Sequence, residues 1–224
     1  MPLPMVHLSV AKQIADAGFP VKDLPQFYLG SISPDAIHMR QGMDFSEKMA
    51  THLIPAGKTK DSSWNDVDVN EYFKFMNDFF NANKCRANQG FLMGYAIHIL
   101  TDMLWTKRVY QKFAADYKKS GAPVADQQKA YYRDTDIVDY ILYNGSGWRR
   151  DVWQGLQDAE YSDFLDLLSA QEIELWNERA RNFYNALENQ YKFSGTPIYI
   201  TKPDIENFIS SCAEVILDNL KVAS

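Results

Sequence analysis

The sequence predicts an all-α fold, a multi-helix bundle that forms a single domain over residues 1–224. Apolar residues recur at helical spacing along most of the chain, and several of these stretches begin at capping signals. Alternating strand patterns are nearly absent, since only residues 196–201 look extended. Hydrophobic residues make up 46% of the chain and charged residues 23%, which is typical of a globular protein with a sizeable core.

The N-terminal part is expected to contain two helices and a short apolar segment. An amphipathic pattern predicts the first helix over residues 6–17, and the apolar segment covers residues 24–29. Asp44 and Glu47 have the spacing of a capping box, in which each residue satisfies a backbone amide of the other. This pair predicts a helix that runs to His52.

The middle of the chain is expected to contain the longest helix. A polar loop over residues 55–63 leads to Asp68 and Glu71, a second pair with capping-box spacing. That pair predicts an aromatic-rich helix to about Ala82. A continuous helix is then expected over residues 87–117.

Helical patterns also fill the C-terminal part. Thr201 and Pro203 form a start signal for the last helix, because proline suits the first turn of a helix. The helices expected here cover residues 125–143, 148–158, 169–191 and 203–221.

Net charge and cysteine content exclude several classes of protein. The net charge is −6, so nucleic acid is an unlikely partner, because phosphate binding needs clustered lysine and arginine. The first residues lack the basic and apolar regions of a secretory signal, and no stretch is long enough to span a bilayer. A cytoplasmic location is therefore expected.

Cys85 and Cys212 lie in helical patterns, so both are expected to be buried, reduced thiols.

The strongest chemical signal is the pair His98 and Asp102, one turn apart on the predicted long helix. Residues four apart share a helix face and can reach one cation. The surrounding residues are apolar, and an imidazole and a carboxylate are costly to bury there unless they are paired or bind a metal. The alternative is a simple hydrogen bond in the core.

Other histidines and an aspartate occur in similar settings. The chain has four histidines, and none lies beyond position 98. His7 lies on or beside the apolar face of the first helix, Asp35 follows a proline in a loop, and His52 ends a helical run. Each alone is explained by a structural role, such as a core histidine or an N-cap. Together with His98 and Asp102 they supply the ligand types that suit zinc, with carboxylates available to bridge two ions.

The order of these residues resembles the zinc-dependent phospholipase C family, which shares its all-helical fold with the zinc-dependent single-strand nucleases. The resemblance covers roughly the first half of the chain, so the metal ligands are expected within residues 1–105. It is carried by the segments Met5-Val-His-Leu-Ser-Val-Ala11, Phe27-Tyr-Leu-Gly-Ser-Ile-Ser-Pro-Asp35, Lys48-Met-Ala-Thr-His-Leu53 and Phe91-Leu-Met-Gly-Tyr-Ala-Ile-His-Ile-Leu-Thr-Asp-Met-Leu-Trp105.

The resemblance implies roles for these residues, with one or two zinc ions as the cofactor. His7 is implied as a ligand of a second zinc, which Asp102 would bridge. One complete zinc site is implied for Asp35, His52, His98 and Asp102.

His38 is a further candidate near this site. It lies three residues after Asp35, so it could bind the metal or orient one of its ligands. Asp35 could orient or deprotonate the attacking water. We therefore predict Asp35 and His38 as catalytic residues. The alternative is that His38 and Arg40 form an ordinary surface pair.

The chain departs from the family after Trp105. Family members bind a third zinc through two more histidines and a glutamate downstream, and this chain has no histidine there. The third site is therefore expected to be absent in its usual form. Asp134, Asp136 and Asp139 are the nearest substitutes, and a solvated acidic face is the alternative for them.

The predicted function is hydrolysis of a phosphoester by metal-activated water, with zinc as the expected metal. The expected substrate is a small phosphorylated compound or a lipid headgroup. The first alternative is a non-catalytic zinc-binding protein with a structural metal site. A helical interaction module with merely buried histidines is another. An HD-type phosphohydrolase ranks low, because the chain contains no adjacent His-Asp pair.

Overall fold

The protein is a helical bundle, as the sequence predicts. The computed structural model describes residues 2–55 and 64–220, and these contain one isolated β-bridge but no β-strand. Most of the polar loop predicted over residues 55–63 lies outside the described residues. The α-helices are α1 (Pro4–Asp16), α2 (Leu24–Gly30), α3 (Phe45–Thr51), α4 (Val69–Asn83), α5 (Gln89–Trp105), α6 (Gln111–Lys119), α7 (Gln127–Gly145), α8 (Arg149–Asp158), α9 (Ala170–Asn185), α10 (Leu187–Lys192) and α11 (Lys202–Asn219).

The capping signals mark helix starts correctly. Asp44 and Glu47 form the expected capping box at the start of α3. Asp68 caps α4 by accepting a hydrogen bond from the backbone amide of Glu71. Thr201 begins α11 through a second capping box. Short polar side chains at these positions satisfy amides that have no partner within the helix.

Three segments differ from the sequence prediction. The helix predicted over residues 87–117 is continuous, but it contains a π-helical turn at Thr106–Tyr110. The helix predicted over residues 169–191 is divided at Ala186, whose backbone is extended. The segment expected to be extended, residues 196–201, is an irregular bend whose amides bond to a buried carboxylate rather than to a strand.

Helix α5 is the centre of the bundle. It is buried along its length from Gly90 to Trp105, and it packs against α1, α2, α4 and α11. A helix that is apolar on all sides is stable only when neighbours cover every face. This arrangement explains why the strongest chemical signal of the sequence lies inside the molecule. Within the described residues, no helix is both long and apolar enough to cross a membrane.

Helices α2 and α5 approach each other very closely, and glycines make this possible. A Cβ atom at Gly94 would lie 2.0 Å from the carbonyl oxygen of Phe27. A Cβ atom at Gly30 would lie 2.1 Å from the carbonyl oxygen of Phe91. Both distances are far below van der Waals contact with backbone that cannot easily move. The crossing therefore requires glycine at both positions.

The two cysteines have different environments. Cys212 is buried, as expected, but Cys85 is exposed, so the prediction of a buried thiol there is wrong. Cys85 lies after the C-terminal end of α4, where the chain turns toward α5. The apolar pattern of α4 does not extend to this turn, which is why its helical setting was misleading.

The close crossing can be tested with Gly94→Ala. We expect the free energy of unfolding to fall by about 1–3 kcal/mol or more, because the added methyl group collides with the backbone of α2. Gly145→Ala is the matched control, since a Cβ atom at Gly145 would have nothing within 4 Å. Urea unfolding measures both variants. Equal stability of the two variants would show that the helices do not cross as described.

Candidate metal centre

The structure brings together the side chains of five predicted metal ligands. His52 Nε2 lies 3.4 Å from Asp35 Oδ1 and 3.7 Å from Asp102 Oδ2. His98 Nε2 lies 3.8 Å from Asp102 Oδ2 and 4.0 Å from Asp35 Oδ2. His7 Nε2 faces the other oxygen of Asp102, at 3.5 Å. The two carboxylates and three imidazoles therefore form one cluster.

Four separate segments supply this cluster. His7 is on α1, and Asp35 is in the 3₁₀ segment Ser33–Met39 that follows α2. His52 is the C-cap residue of α3. His98 and Asp102 are on α5, one turn apart, as the sequence pattern predicts. The cluster therefore exists only when these segments are packed on α5.

Backbone carbonyls orient two of the imidazoles. His98 Nδ1 lies 2.8 Å from the carbonyl oxygen of Ser31, and His52 Nδ1 lies 3.0 Å from that of Lys48. A carbonyl oxygen can only accept, so both Nδ1 atoms carry the proton and donate it. Both Nε2 atoms consequently present a lone pair to the cluster. This is the usual arrangement of histidines that bind metals.

The atoms that face each other in the cluster are buried and have no hydrogen-bond partner. They include Nε2 of His7, His52 and His98, Oδ1 of Asp35 and both carboxylate oxygens of Asp102. The separations of 3.4–4.0 Å are too long for hydrogen bonds. Ligands of a tetrahedral zinc ion lie about 3.4 Å from one another, given bonds of about 2.0–2.1 Å. The donor set therefore fits a shared cation better than a hydrogen-bonded core, and the cluster could hold a metal ion.

Burial controls the protonation of the cluster. It lowers the pKa of His7 and of His98, and for His7 the neighbouring His98 lowers the pKa further. Burial raises the pKa of Asp102, although His98 and His52 partly oppose it. Burial also acts to raise the pKa of Asp35, but the neighbouring His52, His98 and Lys48 bring that pKa well below its usual value. Neutral imidazoles beside a carboxylate are the protonation state that binds a cation.

The two possible three-ligand groups share His98. One consists of His7, Asp35 and His98, and the other of His52, His98 and Asp102. Only Nε2 of His98 is available, because Nδ1 donates to Ser31, so His98 can bind one ion at a time. A second ion would rely on His7 and on the oxygen of Asp102 that faces it.

One edge of the cluster reaches the surface. The side chain of Asp35 is 11% exposed and that of His38 is 35% exposed, whereas His52, His98 and Asp102 are fully buried. His38 Nε2 lies 3.6 Å from Asp35 Oδ1 and 2.8 Å from Nζ of Lys48. Burial lowers the pKa of His38, and Lys48 lowers it further. The structure thus places His38 beside the cluster, where its predicted catalytic role stays a prediction.

Arg40 does not extend this edge. Its guanidinium donates to both carboxylate oxygens of Glu172, at 2.6 and 3.0 Å, and to Glu47 at 3.1 Å. These bonds join the 3₁₀ segment to α9 and α3. Arg40 therefore pairs with these glutamates and not with His38, so the surface pair considered as an alternative is not formed.

Asp134 and Asp139 of α7 do not replace a third metal site. Asp134 is buried, its Oδ2 accepts the amides of residues 198–200, and its Oδ1 accepts from Arg133. Asp139 is buried too, and its carboxylate accepts from the amide of Met5 and the hydroxyl of Tyr184. The alternative of a solvated acidic face is wrong for both residues. Their carboxylates fix the loop before α11 and the first turn of α1.

Comparisons with known proteins identify no relative, so a function can be argued only from the geometry of the cluster. No family model matches the chain, and no curated protein or solved structure matches it. The resemblance to the zinc-dependent phospholipase C family therefore stays a prediction from the sequence.

Sequence reasoning missed two features of the centre. The first is the pair of carbonyls, from Ser31 and Lys48, that orient His98 and His52. A backbone carbonyl has no sequence signature, so no residue pattern could have revealed it. The second is the side chain of Lys48, whose ammonium group lies beside Asp35. Lys48 lies four residues before His52, so the two side chains share a helix face, and this spacing could have indicated that Lys48 lies near the cluster.

Metal binding is tested by the effect of zinc on stability. We expect zinc at 100 times its dissociation constant to raise the free energy of unfolding of the wild type by about 2.7 kcal/mol. His98→Ala should show little or no such increase, because it loses the ligand common to both groups. His38→Ala is the control and should keep the effect. A zinc response in His98→Ala as large as in the wild type would exclude the proposed ligand set.

The anchoring of α1 has its own pH dependence. Burial is the main reason that the pKa of Asp139 rises from 3.8 to about 7, although the Tyr184 hydrogen bond opposes it. A carboxyl whose pKa is higher in the folded than in the unfolded protein stabilises the fold while it is protonated. This stabilisation is complete below about pH 4 and is lost as the pH rises through about 7. The difference between the two pKa values corresponds to roughly 4 kcal/mol of the free energy of unfolding.

Unfolding measured between pH 4 and 8, with a chelator present, tests this contribution. Asp139→Asn keeps an acceptor for the amide of Met5 but cannot ionise. We expect the stability of this variant to fall less over that range than the stability of the wild type. Parallel curves would show that Asp139 does not titrate between folded and unfolded states as described.

Proposed function

We propose that the protein is a zinc-dependent hydrolase that cleaves a phosphoester with an activated water molecule. The observation that carries this proposal is the fifth donor residue. His52, His98 and Asp102 form one three-ligand group, and Asp35, whose oxygens lie 3.4 Å from His52 Nε2 and 4.0 Å from His98 Nε2, would bring the number to the four that a closed structural zinc site uses. His7 adds a donor that faces the remaining oxygen of Asp102. Such an excess of ligands suits a centre with two ions or with an exchangeable position.

A zinc ion at this centre supplies Lewis-acid chemistry, which makes water a good nucleophile near neutral pH and offsets charge on phosphoryl oxygens. The protein residues have separate tasks. Asp35 lies at the edge that reaches the surface, so its carboxylate would orient the water or accept its proton. Asp102 is fully buried and holds His7, His52 and His98 around its two oxygens.

The substrate would approach from the side of Asp35 and His38. The side chains of Asp35, His38 and Lys48 along this edge are polar, which suits a phosphorylated compound or the headgroup of a lipid. The net charge of −6 also disfavours nucleic acid.

A structural zinc site without catalysis is the second candidate. The complete burial of His52, His98 and Asp102 favours it, because structural zinc sites are closed to solvent. The two functions differ in the number of zinc ions that each chain is expected to bind. A structural site holds one zinc ion per chain in both the wild type and His7→Ala. The hydrolase is expected to bind a second ion, which His7→Ala removes.

Hydrolysis is tested with two chromogenic substrates, bis(p-nitrophenyl) phosphate and p-nitrophenyl phosphate, in the presence of zinc. We expect turnover of at least one substrate by the wild type. Asp102→Asn should reduce the rate at least about 100-fold, because it removes a charged ligand from the centre. Asp78→Asn, an exposed residue of α4, is the matched control and should leave the rate unchanged. Equal rates for the wild type and Asp102→Asn would refute the hydrolase.

A further inference from the structure

We propose that Lys48 is a substrate-binding residue, whose ammonium group holds an anionic oxygen of the substrate beside Asp35. This inference rests on the proposed function of the same site. The ammonium group of Lys48 lies beside the cluster. Lys48 Nζ lies 3.8 Å from Asp35 Oδ1, and the same oxygen lies 3.4 Å from His52 Nε2. A single carboxylate oxygen therefore separates the lysine from the metal ligands.

The side chain of Lys48 is partly exposed to solvent. The Lys48 side chain is 18% exposed, similar to the 11% of Asp35 and far above the fully buried His52 and His98. Lys48 thus lies along the same partly open edge as Asp35 and His38. A group that approaches the cluster from solvent meets the lysine before it meets the buried imidazoles.

The open edge would carry a positive charge once a divalent cation is bound. Two carboxylates, Asp35 and Asp102, offset the charge of one divalent cation, and the neutral imidazoles add none. Lys48 then gives the open edge a net positive charge. Arg179 continues this charge outward, because its guanidinium lies over the Trp176 ring at 5.7 Å and that ring lies 6.0 Å from the His38 ring. An edge of this kind attracts an anion.

The ammonium group of Lys48 is held in place and still has a donor to spare. Lys48 Nζ donates to His38 Nε2 at 2.8 Å, and Asp35 Oδ1 is its second near neighbour. An ammonium group has three donors, and among residues 2–55 and 64–220 these two contacts use at most two of them. One donor remains for an oxygen of the substrate, so the lysine need not break its existing contacts.

The backbone and the side chain of Lys48 have different tasks, which makes the inference testable. Its carbonyl accepts from His52 Nδ1 and orients that ligand, and a substitution of the side chain leaves the carbonyl in place. Lys48→Gln should therefore still bind zinc. It should lose only the charge that holds the anion.

The experiment is calorimetric titration of inorganic phosphate into the zinc-loaded protein, with zinc content measured for each sample. We expect Lys48→Gln to bind phosphate about 10-fold more weakly or worse, as is typical for loss of a charged hydrogen bond. Lys48→Arg should keep most of the affinity, because it keeps the charge. Lys118→Gln, an exposed lysine of α6, is the matched control and should match the wild type. In kinetics, Lys48→Gln should raise KM more than it lowers kcat.

The outcomes separate this inference from the proposed function. If the wild type binds phosphate and hydrolyses a phosphoester, but Lys48→Gln binds phosphate equally well, the role of Lys48 is refuted and the hydrolase stands. Loss of zinc from Lys48→Gln also refutes the role, since the side chain would then act on the metal ligands. If the zinc-loaded wild type neither binds phosphate nor turns over substrate, the proposed function itself fails.

Discussion

Two buried carboxylates, Asp35 and Asp102, both face the imidazole of His52, whose Nε2 lies 3.4 Å from one and 3.7 Å from the other. This is the constraint on which the rest of the structure depends. Buried carboxylates are costly unless a cation or hydrogen bonds compensate them, and the facing oxygens of this pair have no hydrogen bond. Three imidazoles surround them, and two of these, His52 and His98, point lone pairs inward. A cation would satisfy several of these atoms at once, and the cluster could hold one.

The packing of the bundle serves this centre. Helices α2 and α5 cross at Gly30 and Gly94, so closely that the carbonyl of Ser31 reaches His98 Nδ1. The carboxylate of Asp139 accepts from the amide of Met5 and thereby fixes the first turn of α1, which carries His7. The positions of the ligands are therefore set by backbone contacts between helices. A change far from the cluster can still move a ligand.

Much of the fold follows from local signals in the sequence. The capping boxes at Asp44 and Thr201 mark real helix starts, because a cap depends only on residues within one turn. The π-turn at Thr106–Tyr110 and the break at Ala186 were not predicted. Both depend on how neighbouring helices pack, and no local signal records that.

The ligands were likewise predictable, but their environment was not. His98 and Asp102 share a face because they are four residues apart, which is a property of any helix. The burial of Asp134 and Asp139 was not visible in the same way. The sequence neighbours of Asp134 are polar, whereas those of Asp139 are apolar, and the amides and the hydroxyl that satisfy the two carboxylates come from residues at least 45 positions away. Charge patterns alone cannot distinguish a solvated carboxylate from a buried one with distant partners.

The central claim is that the imidazoles and carboxylates bind a cation rather than one another. Anomalous scattering at the zinc edge, measured on crystals grown with zinc, tests it most directly. The account predicts a strong peak within about 2.0–2.1 Å of Nε2 of His52 and His98 and of a carboxylate oxygen of Asp102. The absence of a peak, with the histidines and carboxylates drawn together into direct hydrogen bonds below 3.2 Å, would contradict it.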